Sequence, residues 1–98
     1  MSTRLSVKEA VAIAKNYLRE LLMEEGLKNL GLEEIEFDDE QDIWLVTLGF
    51  SRPWNTTGGP LATLSGEAPA KRAYRVVAVQ DSDGHVISVK RAKDLAYA

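Results

Sequence analysis

The sequence predicts an α+β domain in which one N-terminal amphipathic helix packs on a four-stranded antiparallel sheet. The expected order is helix, strand, strand, long loop, strand, strand. Three observations carry this expectation. Residues 6–25 repeat apolar side chains at helical spacing, residues 32–93 hold four stretches of strand-like composition, and Asp83-Gly84 sits between the last two. A chain of 98 residues makes one domain with a small core. Residues 1–98 are therefore read as a single domain with a flexible loop at about 51–71.

Ser6-Val7-Lys8-Glu9 has the spacing of a capping box, in which the serine accepts from the Glu9 amide and the glutamate reaches back. Beyond it, Val7, Ala10, Val11, Ala14, Leu18, Leu21 and Leu22 fall on one stripe at 100° per residue. The alanines on that stripe predict a helix seated close to whatever it covers. Gly26 then stands where a left-handed residue closes a helix.

Residues 27–31 read as a Gly-punctuated connection. From Leu32 to Phe37 apolar and acidic residues alternate, as in a short edge strand whose glutamates discourage edge-to-edge pairing. Residues 38–42 form an acidic turn. Ile43 to Phe50 is the strongest strand, with Trp44, Val46, Leu48 and Phe50 on one face and Ile43, Leu45 and Thr47 on the other.

Residues 51–71 hold all three prolines and three glycines, and a loop this long is functional or disordered more often than not. It reads as an interaction loop, a cover for one sheet face, or a disordered segment. Residues 72–80 and 85–93 then form a hairpin around a two-residue Asp83-Gly84 turn, which pairs Gln80 with Ile87 and Ala78 with Val89. Residues 94–98 are a frayed tail.

One helix covers one face of such a sheet. Ile43, Leu45, Val77, Val79 and Val86 are expected on the other face, which is more apolar than solvent favours and calls for a cover. The candidate interaction residues are thus Ile43, Leu45, Val77 and Val79 on the sheet, with Arg52, Trp54 and Leu64 as loop anchors of the kind that dominate interfaces.

Composition narrows the chemistry. No cysteine is present, which excludes disulfides, thiol catalysis and thiolate zinc sites, and a single histidine excludes multi-histidine metal centres. His85 has no accompanying nucleophile elbow, and Gly58-Gly59-Pro60 lacks the Walker spacing. Seven carboxylates lie between Glu33 and Asp42, but without the EF-hand pattern they read as a solvated edge and turn. No catalytic residue, metal or cofactor is assigned.

The net charge of −3 divides unevenly: residues 1–42 carry five Lys/Arg against eleven Asp/Glu, and residues 43–98 carry seven against four. An acidic total argues against nucleic acid, although Arg72, Arg75, Lys90, Arg91 and Lys93 gather at the open end of the hairpin. No apolar run approaches the roughly 20 residues of a membrane span, and no secretory signal is apparent. A cytoplasmic location is expected.

Leu5-Ser6-Val7-Lys8-Glu9-Ala10-Val11-Ala12-Ile13-Ala14 is similar to the Glu-Ala-x-x-Ile-Ala helix start of PepSY-like domains. The ending, from Tyr74-x-Val76 through Asp81-x-x-Gly84-x-Val86, resembles the closing hairpin of the same family. That resemblance implies a cystatin-like arrangement of one helix on an antiparallel sheet and tilts function toward non-catalytic binding. The Gln-x-Val-x-Gly hairpin of cystatin inhibitors is not reproduced around Gln80, so no inhibitory residues follow from it. The favoured expectation is a small binding or regulatory module that mates with itself or with another protein. The alternative is a ligand pocket or enzyme between helix and sheet, lined by Tyr17, Trp44, Phe50 and Tyr74.

Overall fold

The structure, a computed structural model, describes residues 3–52 and 72–92. Helix α1 (Val7–Leu21) opens on the expected capping box: Ser6 Oγ accepts from the Glu9 amide at 3.1 Å, and the Ser6 amide donates to Glu9 Oε1 at 2.8 Å. Ser6→Ala is expected to cost about 1 kcal/mol, measurable by thermal melting. The α-helix stops at Leu21 rather than at 25, and a 3-10 turn over Met23–Glu25 carries the chain to Gly26 at φ 70°.

Four strands follow, β1 (Lys28–Asp38), β2 (Ile43–Ser51), β3 (Ala73–Gln80) and β4 (Val86–Arg91). They lie in sequence order, each antiparallel to the next. β1 begins at Lys28, earlier than the alternation from Leu32 indicates, because two register shifts hide the pattern. One lies between Lys28 and Gly31, where Asn29 takes φ 56°, and the other between Leu32 and Glu34. Each puts an extra residue on one strand, so side chains on either side lose strict alternation.

The core lies between α1 and one face of the sheet. Ala10, Ala14 and Leu18 meet Trp44, Val46, Leu48 and Phe50 of β2 and Val77 and Val79 of β3. Both alanines are fully buried, which brings the helix backbone near the sheet. Phe37 of β1 flanks this layer, its ring centroid 5.0 Å from that of Trp44. Truncating a fully buried Phe50 or Leu18 to alanine removes about 2–5 kcal/mol by transfer and cavity terms.

Two expectations about β3 and β4 are corrected. Val77 and Val79 lie beneath the helix, both at 0% exposure, and Val86 and Val89 pack against the same core. The pairs Trp44–Val79 and Val46–Val77 put those valines on the helix face of β2, away from Ile43 and Leu45. The second correction concerns the hairpin, whose turn takes four residues. Gln80 N donates to His85 O at 2.9 Å, and Gly84, at φ 78°, donates to Gln80 O at 2.8 Å. Val77 therefore pairs with Val89 and Ala78 with Ser88, with a shift before Val79–Val86 that leaves Ile87 as the extra residue.

Asp81 is why the turn is wide. Its Oδ2 accepts from the Arg4 amide at 2.8 Å, and its Oδ1 accepts from the Leu5 amide at 3.0 Å and from Trp44 Nε1 at 2.9 Å. The Asp81 amide donates to Asp42 O at 3.0 Å. One buried carboxylate thus ties the segment before α1, the start of β2 and the β3–β4 turn. Burial works against its charge, but the two amides, the indole and the positive charge of Arg4 outweigh it. They hold the carboxyl below its ordinary value.

Candidate interaction face

The register of the sheet decides what its outer, helix-free face presents. Across all four strands Glu34, Thr47, Val76 and Lys90 form one row. Glu36, Leu45, Ala78 and Ser88 form the next, and Asp38, Ile43 and Gln80 the row after that. Because cross-strand partners point to the same side, the outer face is acidic along β1, apolar along β2 and β3, and carries Lys90 on β4. Ile87, displaced at the β4 irregularity, adds an apolar side chain that is 45% exposed.

These residues enclose a groove of about 300 Å³, with Ile43, Leu45, Val76, Ala78, Ile87 and Lys90 in its wall. The helix contributes to the opposite face, and among the described residues no other helix or strand lies over this one. At the Asp38 end, Asp38 Oδ1 accepts from the amides of Glu40 and Gln41 at 3.0 and 3.3 Å, which fixes the β1–β2 turn. Glu34 and Glu36 have no cation to pair with among the described residues.

At the other end, Arg72 crosses Gly49 to reach Glu33, with Nη2 3.5 Å from Oε2. Gly49 makes that crossing possible. A Cβ there would stand 2.7 Å from Arg72 Nη2, 2.8 Å from Glu33 Oε2 and 3.0 Å from the Tyr74 ring.

A separate basic group lies on the helix side of the open end. Arg52 and Arg75 flank the Phe50 ring, at 5.3 and 5.7 Å from its centroid, and Arg91 pairs with Arg75 across β3–β4. Burial first, then the charges of Arg52 and Arg91, lower the Arg75 pKa against an opposing pull from Glu25. Glu25 Oε1 also accepts from Arg52 Nη1 at 2.7 Å. Glu25→Gln is expected to destabilise the fold by about 1–2 kcal/mol, an effect between exposed and buried ion pairs. The loss lies in relief of repulsion among the arginines, so thermal melting should show it shrinking in high salt.

Of the residues singled out in the sequence, Ile43 and Leu45 stand on the outer face. Val77 and Val79 are core residues, and Arg52 belongs to the basic group with Glu25. Trp54 and Leu64 lie outside the described residues, as does most of the 51–71 loop. Val76, Ala78 and Ile87 take the places on the face assigned to Val77, Val79 and Val86. On β3 the alternation separates Val76 and Ala78 from Val77 and Val79, but it does not say which pair lies under the helix, and the wider turn puts Val89 opposite Val77 in the core.

The aromatic pocket between helix and sheet does not form as expected. Trp44 and Phe50 are core, Tyr17 is 42% exposed on α1, and Tyr74 borders Gly49 on the outer face. His85 Nδ1 lies 2.6 Å from Asp83 Oδ1, and the same oxygen accepts the His85 amide at 3.0 Å. Those two bonds, the amide first, lower the Asp83 pKa and brace the exposed turn. Among the described residues no three His, Asp or Glu side chains converge on a metal position, and no helix is long and apolar enough to cross a membrane.

Comparison with known proteins adds no relative: no family model matches, and neither a curated protein nor a solved structure matches significantly.

Proposed function

We propose that this domain is a small non-catalytic binding or regulatory module that docks a protein through the outer face of its sheet. The supporting observation is the apolar centre of Ile43, Leu45, Val76, Ala78 and Ile87 around a groove of about 300 Å³. An acidic strand borders it, and no described helix or strand lies over it. Apolar surface gathered in one patch and rimmed by charge is the physical mark of an interaction site. The resemblance of the helix opening and final hairpin to PepSY-like domains agrees with a non-catalytic role.

The test is a photo-crosslinking amino acid placed in living cells at Ile87 on the face and, as a control, at Tyr17 on the exposed side of the helix. A discrete adduct from position 87 and none from position 17 is expected. No adduct from position 87, or the same products from both positions, would overturn the proposal.

A further inference from the structure

We infer that the outer face takes a second copy of this chain, joined about a two-fold axis that runs parallel to the strands between β2 and β3. This inference rests on the reading of that face as a docking surface. It follows from how charge is distributed along the sheet rows. A two-fold partner presents the same patch to itself, so every residue must suit the residue that symmetry brings opposite.

Two ways of laying the sheets face to face keep their strands aligned. An axis perpendicular to the strands puts β1 over β1, and Glu34, Glu36 and Asp38 then meet a second set of carboxylates. An axis parallel to the strands exchanges the two edges and leaves each row at its own height. The row Glu34–Thr47–Val76–Lys90 then lies over its own reversal. Lys90 of each copy faces Glu34 of the other, twice in the dimer, and Val76 lies over Thr47. In the neighbouring row Leu45 lies over Ala78 and Glu36 over Ser88, and in the row beyond Ile43 meets Gln80, so apolar contact concentrates at Leu45, Val76 and Ala78. Packed sheets stand about 10 Å apart, a gap that a lysine and a facing glutamate span together.

Size fits the same picture. Four strands at about 4.8 Å spacing and about eight residues at 3.3 Å each give roughly 500 Å² per copy. The total of about 1,000 Å² stands at the lower limit for a specific interface. An interface of this size is small, and the charges select its orientation more than its strength. Glu34 and Lys90 are both exposed, so exchanging them leaves the core untouched.

The experiment is the solution mass of the full chain by light scattering across a wide concentration range. It compares the unaltered protein, Lys90→Glu, Glu34→Lys and the double exchange. The unaltered chain is expected to pass from monomer to dimer. Each single change should weaken association at least about tenfold by turning two attractions into repulsions, and the double exchange should restore it. Monomer at every concentration, or a dimer indifferent to the exchanges, would overturn the inference. Position 87 separates this failure from that of the underlying reading. A monomer whose Ile87 probe still captures a different protein refutes only the second copy, whereas a monomer with no adduct refutes both.

Discussion

Replacing Val77 with aspartate is expected to unfold the domain, whereas the same change one residue earlier, at Val76, leaves it folded. Val77 is fully buried on β3 beneath the helix, and it pairs with Val46 and Val89. Among the described residues it belongs to an apolar cluster, which offers a carboxylate no side-chain donor or cation. An uncompensated buried charge costs about 3–5 kcal/mol and the lost valine burial about 2 more, which together reach the lower part of the roughly 5–15 kcal/mol that holds a domain of this size. Val76 is half-buried on the outer face, between Thr47 and Lys90. An aspartate at that place faces a lysine and loses only strand preference and partial burial, about 1 kcal/mol. Circular dichroism and thermal melting of the two variants give the comparison. Val76→Asp should also remove the docking behaviour, because it puts charge into the centre of the apolar patch.

Asp81 carries the second large effect. Asp81→Asn leaves at most one oxygen to accept from the Arg4 and Leu5 amides and the Trp44 indole, and it turns an amide donor toward donors. The melting temperature is expected to fall by roughly 10 °C. The pH dependence has a definite sign. The folded carboxyl titrates below its ordinary value, so the unfolded chain takes up its proton first as the solution is acidified. Its stabilising effect is complete above about pH 4, the ordinary carboxylate range, and is lost as pH falls through the lower folded value. Urea unfolding at a series of acidic pH values should show the parent losing stability on acidification and Asp81→Asn showing a shallower loss. Equal slopes would remove Asp81 from the account.

The layout of helix and strands was legible in the sequence because it depends on local patterns. Ser6 and Glu9 mark the helix start, the alanines mark the close-packed stripe, and the alternation of Trp44, Val46, Leu48 and Phe50 marks the buried side of β2. The face of β3 was not legible. Val76 and Ala78 are apolar on one side and Val77 and Val79 on the other, so the hydrophobic pattern fits either orientation. A tight turn would have fixed the register of β3 against β2, but a long connection separates them.

The hairpin misled for a different reason. Asp83-Gly84 is a strong signal for a two-residue turn, and it was overridden by Asp81. That residue's partners at Arg4, Leu5 and Trp44 are distant in sequence, and no local motif announces them. The outer face was therefore half legible: Ile43 and Leu45 follow from β2 alone, whereas Val76, Ala78 and Ile87 require the pairing.

Which valines lie under the helix is the point on which the docking face stands, and methyl nuclear Overhauser contacts in the full chain measure it directly. Contacts from Ala10, Ala14 and Leu18 to Val77 and Val79, with none to Val76 or Ala78, are the expected result. Contacts from those helix methyls to Val76 or Ala78 would place the opposite side of β3 in the core. The face described here would then not exist.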